Sequence, residues 1–246
     1  MPHRHTLALI TIGQSPRHDY TPDLPSLLPP STALVQHGAL DALTPADVAA
    51  RLSPGPDTTQ VLVSRMRSGA AVVMDAARLA PLVEACVRRV AGSSSVDAVV
   101  LLCTGDVPAA GAGAGARVPV VAPQPAVRAF LEEEGRRGCA VVVVSPEARQ
   151  VGAARARWEG VGGCRVVAAG AATPYGEDSE KEVRGVGEWV RRAVEGEAGR
   201  VVVYLDCMGY TLEHKRIVEE VTGGGVEVVV PREVVFRAVG KLFGEA

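Results

Sequence analysis

The chain predicts an α/β fold built from two pseudo-symmetric lobes, each around a parallel sheet. Three observations carry that expectation. Strand-like and helix-like segments alternate along most of the 246 residues, the pattern of a parallel sheet with crossover helices. The strand-like segments are near-continuous runs of Val, Leu and Ala, as in strands buried on both faces. The chain also repeats itself: Val96-Asp-Ala-Val-Val-Leu-Leu-Cys103-Thr-Gly105 is echoed by Arg200-Val-Val-Val-Tyr-Leu-Asp-Cys207-Met-Gly209, and Val118-Pro-Val-Val-Ala-Pro123 by Val226-Glu-Val-Val-Val-Pro231. The expected lobes are residues 1–122, completed by a C-terminal helix 232–246, and residues 123–231, with the site in the cleft between them.

In chain order, Thr6–Ile12 reads as a central strand ended by Gly13. Gly13 to Asp19 reads as a turn entering a helix or loop, with Ser15 before Pro16 as a candidate N-cap. The proline-rich stretch Tyr20–Thr32 reads as an irregular link, and Leu34–Gln36 as a short strand. Pro45–Leu52 reads as a helix capped by Thr44. Gln60–Met74 alternates and breaks at Ser68-Gly69, which predicts a hairpin. Asp75 caps a helix to about Val90, with Leu79, Leu82, Val83, Cys86 and Val90 on one face. Strand Ala98–Leu102 leads to Cys103. The Gly-Ala repeat at 111–116 reads as a flexible loop and not as a phosphate cradle, because no strand leads directly into it.

The second half predicts strand Val118–Val121, a helix from about Pro125 to Arg136, strand Ala140–Val144, and a helix from Ser145-Pro146 to about Trp158. Strand Val166–Ala168, helix Ser179–Val194 and strand Val201–Leu205 then lead to Cys207. A helix capped by Thr211 through Val221, strand Val226–Val230 and helix Arg232–Phe243 close the chain.

Composition narrows the partners. The hydrophobic fraction of 47% suits a folded core, and 26 basic against 28 acidic residues leave a net charge of −2 with no basic block, which argues against nucleic acid. The apolar runs are too short to span a bilayer. Thr6–Ile12 is shorter than a signal-peptide core and lacks a cleavage site after it, so the expected location is cytoplasmic. Five cysteines are an odd number for a disulfide framework. None form a CxxC pair and no His/Cys cluster has zinc spacing, so a bound structural metal is not expected.

The chemistry is expected at the repeated cysteines. In open α/β sheets ligands bind at the carboxyl ends of the strands, where both Cys103 and Cys207 fall. A thiolate is the reactive form, and a helix N-terminus favours it, which applies best to Cys207 ahead of Thr211. The turns after the cysteines, Thr104-Gly105 and Met208-Gly209, would offer backbone N–H groups to an anion, with the Thr104 and Thr211 hydroxyls near a substrate carboxylate. Ser15 and Arg17 follow the first strand, another anion-binding position, and arginine grips carboxylates bidentately. Strand alternation would put Arg65 and Arg67 on one face. Asp206 and Asp106 are candidates to orient the thiols. His214 is a candidate acid or base, weighed against a capping histidine. Cys86, Cys139 and Cys164 read as small core hydrophobes.

Four motifs together, Ile12-Gly13-Gln14-Ser15-Pro16-Arg17, Ser64-Arg65-Met66-Arg67-Ser68-Gly69, Leu101-Leu102-Cys103-Thr104-Gly105 and Leu205-Asp206-Cys207-Met208-Gly209-Tyr210, make the chain resemble the AroM family over nearly its whole length. That family is in turn similar to the aspartate/glutamate racemase superfamily. The resemblance implies two α/β lobes and cofactor-free chemistry in which Cys103 and Cys207 act as acid and base on a small anionic carboxylate, with Ser15 and Thr104 holding the carboxylate. The amino-acid racemases carry Asp-Ser where this chain has Gln14-Ser15, and Cys-Thr-His where it has Cys207-Met208-Gly209. Those departures point away from a standard α-amino acid. The leading expectation is a racemase or epimerase. A one-cysteine lyase or decarboxylase, and a non-catalytic small-molecule-binding protein, are the rivals. A homodimer is compatible with this organisation but not required by it.

Overall fold

The computed structural model describes residues 5–106, 116–135 and 139–244. The chain divides into two compact units, Met1–Pro123 with Val235–Ala246, and Gln124–Val234.

The first unit holds β1 (Thr6–Thr11), a short helix α1 (Leu24–Leu27), β2 (Ala33–Gly38), α2 (Pro45–Leu52), β3 (Val61–Arg65), β4 (Ala71–Asp75), α3 (Ala76–Ala91), β5 (Ala98–Leu102) and β6 (Val120–Val121). Its sheet runs β2-β1-β5-β6 with every pairing parallel. The two central strands, β1 and β5, are buried almost throughout, which is why their sequences lack polar alternation. Strands β3 and β4 pair antiparallel as the expected hairpin. Local chemistry sets the helix starts. Thr44 and Asp47 form a reciprocal capping box on α2, and the Asp75 carboxylate accepts from the Ala77 and Arg78 N–H groups at the head of α3. The apolar face of α3, including Leu79, Val83, Cys86 and Val90, joins Ile10, Ile12 and Val99 in one core.

The second unit holds α4 (Pro123–Gly135), β7 (Ala140–Ser145), α5 (Val151–Trp158), β8 (Arg165–Ala171), α6 (Ser179–Ala193), β9 (Val201–Leu205), α7 (Leu212–Thr222) and β10 (Glu227–Val229), followed by α8 (Pro231–Leu242), which ends in the first unit. Its sheet runs β10-β9-β7-β8, again all parallel. Val141 to Val144 are fully buried, each contributing roughly 1.5–3 kcal/mol relative to exposure. Val141 and Val143 share a core with Trp158, Val202, Tyr204 and Val229.

Taken by order of appearance, the strands of each unit lie second-first-third-fourth across the sheet. The repeat seen in the sequence is therefore a repeat of topology. In both units a cysteine follows the third strand, beside the exit of the first strand. That is the point where the winding reverses and where doubly wound sheets bind ligands.

Two local expectations are corrected. Ser15 caps no helix: the first helical turn is a 3-10 turn, His18–Tyr20, whose N-cap is Arg17 with no side-chain cap bond. After Ser145-Pro146 the chain first makes a 3-10 turn, Ala148–Gln150, and the α-helix starts only at Val151. Apart from its last residue, the Gly-Ala repeat lies outside the described residues. No described helix is long and apolar enough to cross a membrane.

Candidate functional site

The two cysteines share one local geometry. In the first unit the Gly105 N–H donates to the Cys103 sulphur at 3.4 Å, and in the second the Gly209 N–H donates to the Cys207 sulphur at 3.3 Å. Both thiols are buried, at 7% and 8% exposure. The glycines are needed for space. A Cβ on Gly105 would lie 2.0 Å from Leu62 Cδ2, and one on Gly209 would lie 2.6 Å from the Tyr175 hydroxyl. Each cysteine turn is thus packed against a segment distant in sequence.

Around Cys103, the β3–β4 hairpin braces the turn that leaves β1. The Gln14 N–H donates to the Arg65 carbonyl at 3.1 Å, and the Arg67 N–H donates to Gln14 Oε1 at 3.0 Å. Gln14 Nε2 in turn donates to the carbonyls of Leu40 and Leu43. Ser15 is held by Asp41: its hydroxyl donates to Oδ2 and its N–H to Oδ1, both at 2.7 Å. Arg17 is buried at 3% exposure. It donates bidentately to Asp19, at 2.8 and 2.7 Å, and through Nη1 to Thr11 and Ser64. Its fork therefore grips an internal carboxylate. Arg65 donates to the Gly69 carbonyl inside the hairpin, whereas Arg67 donates to the Ser15 carbonyl and to Asp41. Strand alternation stops at Arg65, where β3 ends, so the two arginines bond to different partners. Thr104 is buried beside Cys103. Asp106 is exposed and accepts from Gln60 Nε2.

Around Cys207, the Tyr175 hydroxyl lies 3.6 Å from the sulphur. Arg232, fully buried, donates through Nη2 to the Met208 and Gly209 carbonyls at 2.8 and 3.1 Å. The Tyr210 hydroxyl donates to the carbonyls of Ser145 and Ala172, tying the cysteine turn to the exits of β7 and β8. Burial, reinforced by the charges of Cys207 and Asp206, pushes the Tyr210 phenol well above its ordinary pKa. The buried Asp206 carboxylate accepts from Trp158 Nε1 at 3.1 Å and pairs with Arg157 at 3.3 Å. Thr211 and His214 engage each other at the head of α7: Thr211 Oγ1 accepts from the His214 N–H, and His214 Nδ1 accepts from the Thr211 N–H. That second bond requires Nδ1 to be unprotonated.

Sequence reasoning missed Asp41, Tyr175 and Arg232. Asp41 and Tyr175 both lie in loops leaving the second strand of their unit, so aligning the halves by topology would have drawn attention to them. Arg232 carried a different signal. A cation in the first turn of a helix opposes the dipole, so its presence there asks for another purpose. Among the described residues no group of three or more His, Cys, Asp or Glu side chains is arranged to hold a metal ion. Of the other cysteines, Cys86 sits in the core with burial raising its thiol pKa, and Cys139 and Cys164 are buried with their sulphurs 3.6 Å apart.

The AroM protein family model matches residues 7–243. No curated protein matches the chain. Among solved structures, the chain is similar to an allantoin racemase from Klebsiella pneumoniae at 18% identity and a TM-score of 0.60, covering 98% of this chain and 89% of that one. It is also similar to a glutamate racemase from Bacillus anthracis at 12% identity and 0.58, covering 98% and 82%. A third similar structure is an arylmalonate decarboxylase at 14% identity and 0.57, covering 98% and 94%. At these identities the likeness establishes the two-lobed racemase fold.

Proposed function

The chain belongs to the AroM family, and from that premise we propose that it is a cofactor-independent isomerase, a racemase or epimerase acting on a small carbon acid that bears a carboxylate or an equivalent acyl group. The observation that supports this most is the matched pair of turns, each presenting a buried cysteine sulphur to the N–H of the glycine two residues on. They stand at equivalent strand ends of two units with one topology. The similar structures include racemases, maleate isomerases and a decarboxylase, so isomerisation and decarboxylation both occur on this fold.

In this reading one cysteine, as thiolate, removes the α-proton and becomes the thiol. The electron pair left on carbon delocalises into the adjacent carbonyl as an enolate, which the backbone N–H groups of the cysteine turns stabilise. The second cysteine, as thiol, delivers a proton to the opposite face and becomes the thiolate. The product is the mirror-image centre, and the next turnover can run from either side. Proton transfer by a positioned group contributes typically ~10²–10⁴-fold. Thr104 is proposed to contact the substrate carboxylate, whereas both donors of Ser15, expected from the resemblance to share that role, are committed to Asp41.

The test is proton–deuterium exchange. The protein is incubated in D₂O with a panel of small amino, hydroxy, dicarboxylic and cyclic ureide acids, and the α-proton signals are read by NMR. The expected result is wash-out of one substrate's signal by wild type, with loss of racemisation in both Cys103→Ala and Cys207→Ala. Full racemisation by either variant would overturn the two-thiol mechanism. Turnover that survives the loss of one cysteine and releases carbon dioxide would replace it with a one-thiol lyase.

A further inference from the structure

We infer that Tyr175 belongs to the catalytic apparatus of this site, its phenol O–H donating to the Cys207 sulphur and holding it as the thiolate in the half-reaction where Cys207 is the base. The role rests on the isomerase reading for its meaning in turnover. The contact itself is a property of the second unit alone.

Two independent observations converge on this side chain. The hydroxyl stands 3.6 Å from the sulphur, and the ring edge occupies the space that a Cβ on Gly209 would fill, with Cε1 and Cζ at 2.7 Å from that position. The ring thus packs on the glycine whose N–H donates to the same sulphur. Tyr175 is itself buried at 6% exposure, and its backbone N–H is anchored on Thr173 Oγ1 at 3.2 Å. Chemistry fixes the direction of the bond. A thiolate has no proton to give, whereas a phenol donates well, and a hydrogen bond to an ionised acceptor is roughly twice as strong as a neutral one. The Gly209 N–H and the Tyr175 hydroxyl then both donate to the sulphur.

The charged and titratable groups around this turn come from every element packed there. Asp206 at the end of β9 opposes a thiolate but is paired with Arg157 of α5. Glu182 of α6 accepts from the Thr173 N–H. Tyr210 and His214 stack edge-on at the head of α7, and Arg232 of α8 holds the two carbonyls beyond the cysteine. Tyr175 is a neutral donor in contact with the sulphur, so removing its hydroxyl changes no net charge and leaves the ion pairs in place.

The experiment is peptide-resolved alkylation of the full chain by iodoacetamide from pH 6 to 10, comparing wild type with Tyr175→Phe and using Cys103 in the same molecules as the reference. Phenylalanine keeps the ring that packs on Gly209, and an unchanged melting temperature confirms the fold. The Cys207 midpoint is expected to rise by about one pH unit, with a roughly tenfold slower reaction at pH 7, while the Cys103 midpoint stays in place. An unmoved Cys207 midpoint, or an equal shift at Cys103, would overturn the inference. No substrate is needed, so failure here is separable from failure of the isomerase reading, which the deuterium exchange tests.

Discussion

Tyr204 and Tyr210 bring two phenols into the fully buried interior of the second unit. Burial first, then the charge of Asp206 for Tyr204 and of Cys207 and Asp206 for Tyr210, raises both pKa values well above normal. The sign follows directly. An unfolded phenol ionises near about pH 10, whereas these two stay protonated in the fold. Their contribution to stability is therefore complete below about pH 10 and is lost as the pH climbs toward the folded values. Spectrophotometric titration at 295 nm should show Tyr204 and Tyr210 ionising only with cooperative unfolding. Reversible titration of all four tyrosines near pH 10 with the fold intact would refute this. At this scale the sequence disclosed the two thiols and the glycines that follow them, because each motif is local. It could not disclose the crowding at those glycines, because the atoms a Cβ would meet belong to Leu62 and Tyr175, on segments distant in the chain.

Helix boundaries were legible where the signal is confined to one turn. Thr44 and Asp75 start α2 and α3 as their side-chain oxygens dictate. The exits of β1 and β7 were less legible, since Ser15 is claimed by Asp41 across the sheet and a 3-10 turn intervenes before α5. Thr211 shows how one hydroxyl can be asked to do two things. The structure engages it as the N-cap of α7, and removing such a cap costs about 1 kcal/mol. Thr211→Ala is accordingly expected to lower the melting temperature by about 2–4 °C with substrate affinity unchanged. A weaker affinity at constant melting temperature would instead give that hydroxyl to the substrate.

The two-unit plan itself was readable, because a parallel sheet writes itself as apolar runs separated by helices. The shared strand order needed the pairing registers. It explains why cysteines so far apart in the chain occupy equivalent strand ends. The first unit is also built from both ends of the described chain: His5, just before β1, stacks on Phe243, just beyond α8, with ring centroids 4.3 Å apart, and residues 124–234 form a continuous excursion between its two parts. That connectivity has a mechanical consequence. A tether pulling on the two chain ends loads the first unit directly, and the excursion carries no tension until that unit has opened. Stretching in an optical trap should therefore give two rips in fixed order, the second releasing the contour length of residues 124–234, at about 3.3–3.6 Å per residue. An inverted order would mean that the inserted unit is not shielded from load by the one that encloses it in sequence.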